Sequence, residues 1–80
     1  MKITLIYADW CQVCQATKKL WKGLKAEHSF DYEEVSLTSP LGMEYVKKYN
    51  IHSVPATLIG DRVAFFGLPE RDEAIKAVSS

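Results

Sequence analysis

The chain has 80 residues, of which 48% are hydrophobic, and this length and composition predict one small folded domain over residues 1–80, with no second module. Its ten basic and ten acidic residues cancel, so charge gives no reason to expect nucleic acid or an anionic membrane as a partner, and no stretch is apolar enough to span a bilayer. Two cysteines are too few for the disulfide framework of a small secreted domain, which makes a cytoplasmic protein the default expectation.

The first predicted element is a central strand at residues 2–8. The segment Ile3 to Tyr7 is a run of β-branched, aliphatic and aromatic residues without polar alternation, so both faces of the strand should be covered. Asp9 ends this run too early for the apolar region of a signal peptide.

An amphipathic helix is predicted next, from about Gln12 to Glu27. Its apolar positions recur at steps of three and four residues and should face the core: Val13, Ala16, Leu20 and Leu24. Lysines occupy the other sides and are interpreted as a solvated face: Lys18, Lys19, Lys22 and Lys25. Trp21 is expected at a partly exposed edge of this helix.

A second strand and a second helix should follow. A period-two pattern predicts the strand from Phe30 to Leu37. The helix should run to about Tyr49, with Ser39 as its cap and Pro40 at its first position. The side chains predicted to pack inward from it are Met43, Val46 and Tyr49.

The last third of the chain predicts a hairpin and a closing helix. Residues 54–59 and 63–66 flank a glycine-containing turn, and the final helix opens at Gly67-Leu68-Pro69. Its predicted buried stripe is Ala74, Ile75 and Val78. The resulting βαβαββα order indicates an α/β fold with a four-stranded mixed sheet flanked by three helices. The first two strands should be parallel, because a helix joins them, and the last two antiparallel.

Both cysteines, Cys11 and Cys14, lie where the first strand turns into the first helix. A thiolate at a helix N-terminus faces unpaired backbone N–H groups and the positive end of the helix dipole, which stabilise it. The two-residue spacing puts Cys14 one turn after Cys11, close enough for an intramolecular disulfide. The turn therefore predicts a reversible two-electron thiol–disulfide switch.

Two stretches, Trp10 to Cys14 and Tyr49 to Thr57, resemble the thioredoxin and glutaredoxin superfamily, and the similarity covers nearly the whole chain. Ala8-Asp9-Trp10 and the segment 66–69 are more similar to thioredoxins than to glutaredoxins. The resemblance implies a minimal thioredoxin fold.

The resemblance also implies roles for individual residues. Cys11 would be the attacking thiolate and Cys14 the buried resolving thiol. Pro55 would follow a cis peptide bond and lie across from the cysteines, and Val54 would offer its backbone to an extended substrate segment. Apart from the resemblance, the enrichment of tryptophan at contact surfaces predicts that Trp10 shields the sulfurs and contacts the substrate, with packing beside the turn as the alternative.

Three departures from the superfamily pattern affect the expected chemistry. Thioredoxins usually carry a buried acid six residues before the attacking cysteine, and this chain has Leu5 there. Glutaredoxins hold glutathione with a Gly-Gly pair after the hairpin, where this chain has Phe65-Phe66-Gly67, so glutathione binding is not expected. The usual proline between the cysteines is replaced by Gln12-Val13.

The resulting hypothesis is a protein-disulfide reductase that works through a mixed disulfide, as a monomer and without a metal or bound cofactor. Its partners would be disulfide-containing proteins and an electron donor, either a thioredoxin-type reductase or a small thiol. Three alternatives stay open: a soft-metal chaperone for copper or zinc, a redox-inactive interaction module, and a glutathione-dependent glutaredoxin. The further zinc ligands would be His28 and His52, whose separation does not match a zinc-finger spacing.

Overall fold

The computed structural model describes residues 1–79 and has the predicted βαβαββα order over that range. The elements are β1 (Lys2–Tyr7), α1 (Gln12–Glu27), β2 (Asp31–Ser36), α2 (Pro40–Lys48), β3 (Ala56–Ile59), β4 (Arg62–Phe66) and α3 (Arg71–Ser79). The strands are arranged β2-β1-β3-β4, with β1 parallel to β2 and antiparallel to β3, and with β3 antiparallel to β4. The predicted α/β fold with a four-stranded mixed sheet is confirmed. No helix within residues 1–79 has the length and apolar character needed to cross a membrane.

Strand β1 lies at the centre of the core, as its unbroken apolar run predicts. Its residues from Ile3 to Ile6 are buried, because helices cover both faces of the sheet. On one face, α1 and α3 pack over a cluster formed by Ile3, Trp21, Leu24, Phe30, Ala74 and Val78. On the other face, α2 and its C-terminal turn pack Tyr45, Val46 and Tyr49 onto a second cluster. Its buried residues are Ile6, Val35, Ile51, Ala56 and Leu58.

The buried side of α1 differs from the prediction. Val13 and Ala16 are exposed, whereas Trp21, expected at a partly exposed edge, is fully buried at 0% exposure. The buried residues of the helix are Cys14, Thr17, Trp21 and Leu24. They follow the same three- and four-residue steps as the predicted stripe, so the sequence pattern fits two helix orientations. Burial of the large indole favours the observed one.

The start of α2 is fixed by side-chain capping, as predicted. The Ser39 hydroxyl accepts the Gly42 N–H at 3.0 Å and donates to the Ser36 carbonyl oxygen at 2.7 Å. Gly42 is buried against the Ser36 carbonyl, and this contact turns the next residue, Met43, outward. The prediction that Met43 packs inward is therefore wrong, because the close approach of the backbone sets the orientation of the helix.

The two helical glycines are expected to respond in opposite directions to alanine. A Cβ at Gly42 would collide with the Ser36 carbonyl, whereas a Cβ at Gly23 would meet no atom within 4 Å. We expect Gly42→Ala to lower the free energy of unfolding by at least about 1 kcal/mol through overpacking. Gly23→Ala should raise it by about 0.5–1 kcal/mol through helix propensity. Urea denaturation of both variants measures the effect, and shifts of the same sign would contradict this account.

Candidate active site

Cys11 is the N-cap residue of the sixteen-residue helix α1. Its backbone is extended, with φ −97° and ψ 112°, and its N–H donates to the Ala8 carbonyl at 3.2 Å. The Cys11 sulfur accepts the backbone N–H of Cys14 at 3.1 Å. The sulfur thus takes the position of a capping oxygen, while the residue stays partly exposed. The Cys14 N–H and the positive end of the helix dipole therefore face the Cys11 sulfur.

Cys14 lies one turn further along α1 and is fully buried. Burial raises the pKa of its thiol from an ordinary 9.0 to about 11, and the neighbouring Cys11 sulfur adds to the rise as a hydrogen-bond partner and a like charge. The Ala8 backbone and the Lys18 ammonium act in the opposite direction. Both cysteines are free thiols. The pair therefore combines an accessible sulfur with a protected one that is protonated at neutral pH.

The peptide bond between Val54 and Pro55 is cis, as the resemblance implied. The antiparallel register pairs Ile6 with Ala56, and its continuation brings Pro55 level with Tyr7, at the strand end that leads into the cysteine turn. The Pro55 ring is buried, and its carbonyl accepts the Gly67 N–H at 2.8 Å. The structure therefore places Val54 and Pro55 at the same end of the sheet as the cysteines.

Exposed apolar side chains occur at this end of the molecule. Trp10, immediately before the first cysteine, is 72% exposed, and Val13, between the cysteines, is 48% exposed. Phe66 and Leu68 are about half exposed on either side of Gly67, which is bonded to Pro55. Exposed apolar groups at one end of a small protein are typical of an interaction surface.

Three of these residues, Val13, Phe66 and Leu68, were not among the sequence-predicted site residues. The helical spacing of Val13 predicts a core position for it. The segment 66–69 resembles thioredoxins only as the approach to the last helix. The place of Phe66 and Leu68 near Pro55 depends on the pairing of β3 with β4, which brings Phe66 opposite Ala56.

Leu5 occupies the position at which thioredoxins usually carry a buried acid. Leu5 is fully buried in β1, so this position supplies no carboxylate to take a proton from Cys14. No group of three or more His, Cys, Asp or Glu side chains in residues 1–79 is arranged to hold a metal ion. His28 caps the C-terminal end of α1, at the opposite end of the helix from Cys11, and His52 is exposed in the loop before β3.

Alkylation should distinguish the two thiols. At pH 7 we expect iodoacetamide to modify Cys11 at least about tenfold faster than Cys14, because the Cys14 sulfur is buried and its thiolate is scarce. Cys14 should gain reactivity as the pH rises toward about 11. Peptide mass spectrometry of partly alkylated protein measures both rates, with urea-unfolded protein as the control in which the difference disappears. Equal rates in the folded protein would contradict the geometry described above.

Comparisons with known proteins agree with the fold. A family model described as "Thioredoxin domain" matches residues 1–79. A mutant thioredoxin from Halobacterium salinarum NRC-1 superposes with a TM-score of 0.78 at 17% identity, covering 96% of this chain and 70% of that one. Thioredoxin 1 from Thermosipho africanus TCF52B superposes with a TM-score of 0.76 at 21% identity, covering 98% of this chain and 90% of that one. The thioredoxin pre-protein of Schistosoma mansoni superposes with a TM-score of 0.77 at 18% identity, covering 96% of this chain and 74% of that one. No curated protein sequence matches the chain.

Proposed function

Because this chain belongs to the thioredoxin domain family, we propose that it is a small thiol–disulfide oxidoreductase that reduces protein disulfides through Cys11 and Cys14. One observation carries the proposal. The partly exposed Cys11 sulfur caps α1 and accepts the N–H of Cys14, whose own sulfur is buried one turn away. An accessible, stabilised sulfur beside a protected one is the arrangement that a two-step exchange requires.

The exchange proceeds through two substitutions at sulfur. The Cys11 thiolate attacks one sulfur of a substrate disulfide, and the other substrate sulfur leaves as a thiolate and takes up a proton. Cys14 then loses its proton and attacks the Cys11 sulfur, which releases the second substrate sulfur as a thiolate that takes up the second proton. The substrate gains two electrons and two protons, and the protein is left with a Cys11–Cys14 disulfide. An external donor must return those electrons before the next cycle.

The surface around Cys11 supports a protein substrate. Val54 precedes the cis proline at the end of the sheet, where an extended substrate segment could pair with its backbone. Trp10 and the other exposed apolar side chains, Val13, Phe66 and Leu68, offer contacts to that segment. We propose that the protein acts as a monomer in a reducing compartment such as the cytoplasm, since a single chain supplies both thiols and contains only two cysteines.

The donor is proposed to be a thioredoxin-type reductase rather than glutathione. Glutaredoxins hold glutathione with a Gly-Gly pair after the hairpin, and here the bulky Phe66 precedes Gly67 at that point. Two coupled assays on one protein-disulfide substrate compare the donors: one with NADPH and a thioredoxin-type reductase, the other with glutathione and its reductase. Faster turnover in the glutathione assay would contradict the proposed donor and favour a glutaredoxin-like function.

The proposed activity is tested most directly by a redox titration. In dithiothreitol buffers of graded potential, the protein should pass reversibly between a dithiol and an intramolecular disulfide, and the dithiol form should reduce a protein disulfide. Zinc and copper(I) binding is measured in parallel against a mild chelator. An absent thiol titration, or one equivalent of tightly held metal that blocks it, would refute the oxidoreductase and favour a redox-inactive or metal-binding module.

A further inference from the structure

Lys18 differs from the other lysines of α1. It is partly buried, and its ammonium lies 3.6 Å from the centroid of the Tyr7 ring. Lys19 is exposed, Lys22 pairs with Glu34 at 3.7 Å, and Lys25 bonds the Phe30 carbonyl at the far end of the helix. In the part of the chain that the structure describes, no carboxylate lies within ion-pair distance of Lys18. The Lys18 ammonium therefore contacts the face of the Tyr7 ring instead of a carboxylate.

This position brings the Lys18 charge close to the resolving thiol. Lys18 follows Cys14 by four residues, so the two side chains share one face of α1. Tyr7 ends β1 immediately before Ala8, whose backbone contacts the Cys14 sulfur. The Tyr7 ring thus fixes the ammonium beside the cysteine turn.

Few ionisable groups surround Cys14. On α1 they are Cys11 and Lys18, the two that act on its pKa. At this end of the sheet, β1 contributes one ionisable group, the Tyr7 phenol, because the buried Leu5 is apolar. The segment from Pro55 to Thr57 carries no ionisable side chain. Lys18 is the cation in this set. The nearest carboxylate in sequence is that of Asp9, which is exposed in the turn before Cys11 and is not among the groups that act on the Cys14 pKa.

The balance of these groups changes during the reaction. In the mixed disulfide the Cys11 sulfur is bonded to substrate, so it carries no charge that opposes ionisation of Cys14. Burial then still disfavours the Cys14 thiolate, whereas the Ala8 backbone and the Lys18 charge favour it. The proton leaves Cys14 for water or for the departing substrate thiolate, and Lys18 takes no part in that transfer.

We propose that Lys18, held over the Tyr7 ring, is a positioning residue that stabilises the Cys14 thiolate when it resolves the mixed disulfide. The inference rests on the proposed function for its role in turnover, but the electrostatic effect can be measured without a substrate.

The test uses Cys11→Ser protein, in which Cys14 is the single cysteine. The carbon-13 shift of the Cys14 Cβ, followed from about pH 6 upward, reports ionisation of the buried thiol without a reagent. Lys18→Met should raise the midpoint, lowering the thiolate fraction at a fixed pH by about threefold. Lys18→Arg should restore it. Lys19→Met is the matched control, since it removes the same charge from an exposed position on the same helix.

The Tyr7 ring provides a second, independent comparison. Tyr7→Phe keeps the aromatic face and should leave the Cys14 midpoint unchanged, whereas Tyr7→Leu frees the ammonium and should move the midpoint toward that of Lys18→Met. Equal midpoints for Lys18→Met and Lys19→Met would overturn the inference. In the intact dithiol protein, Lys18→Met should also slow release of substrate from a preformed mixed disulfide by about threefold. A midpoint shift in a protein that reduces no disulfide would refute the proposed function and leave the electrostatic role standing.

Discussion

Cys11→Ser is expected to abolish disulfide reduction, with a loss of at least about a hundredfold, because a serine hydroxyl at this position does not provide the thiolate that attacks the substrate. The fold should survive, since the serine oxygen can still cap α1 by accepting the Cys14 N–H. Turnover of a protein disulfide with an excess of reductant measures the effect. Residual activity near that of the parent would show that Cys11 is not the attacking group.

Cys14→Ser is the matched variant, because the same sulfur-to-oxygen change is made one turn away. It should leave the first attack intact but block release, so a mixed disulfide between Cys11 and the substrate should accumulate. Non-reducing electrophoresis and intact mass should show one substrate bound to each chain, and dithiothreitol should release it. If Cys11→Ser trapped the substrate and Cys14→Ser did not, the two roles would have to be exchanged.

The fold could be predicted from the sequence because its determinants are local and strong. The apolar run from Ile3 to Tyr7 has no polar alternation, and the glycine-containing turn between the last two strands admits few other readings. Ser39 followed by Pro40 marks a helix start by hydrogen bonding and by a fixed φ. The cis bond before Pro55 was different, because it came from the resemblance and not from residue chemistry.

The position of the cysteine pair was also predictable, but much of its surroundings was not. A strand that ends before Cys11 and a helix that follows it place the sulfur at an N-terminus by chain order alone. Phe66 and Leu68 come near Pro55 only through the pairing of β3 with β4. Lys18 looks like its neighbouring lysines in sequence, and it becomes distinct only when β1 places the Tyr7 ring beneath its ammonium.

The orientation of α1 shows how tertiary contacts decide between two sequence patterns with similar spacing. Apolar residues support a stripe through Val13 and Leu20, whereas the observed buried face contains Thr17 and Trp21. Thr17 is accommodated because its hydroxyl bonds the Val13 carbonyl at 2.8 Å. Hydrophobicity alone ranks threonine below valine, so the sequence favoured the wrong face. The contacts made by Trp21 decide the orientation.

Trp21→Ala is expected to cost about 3–5 kcal/mol of the free energy of unfolding. The indole packs edge-on against Phe30 at 6.3 Å between ring centroids and contacts Phe65 at 6.1 Å. Its Nε1–H donates to the buried Thr57 hydroxyl at 3.2 Å. The loss is large beside the roughly 5–15 kcal/mol that stabilises a typical domain, and small domains lie toward the lower end of that range. Urea denaturation of the reduced protein, followed by far-ultraviolet circular dichroism, measures it.

The chain contains its own control, since Trp10→Ala makes the same change at a side chain that is 72% exposed and should alter the free energy of unfolding by no more than about 0.5 kcal/mol. Trp21→Phe keeps the measurement decisive if the alanine variant does not fold. It retains an aromatic ring but leaves the Thr57 hydroxyl without its indole donor, so we expect an intermediate loss of about 1–3 kcal/mol. Cys11 caps α1 and Trp21 lies on its buried face, so loosening the packing of Trp21 should also reduce activity. Trp10→Ala should instead reduce substrate reduction with little effect on stability. Equal stability of the Trp21→Ala and Trp10→Ala proteins would mean that the indole does not hold α1 against the sheet.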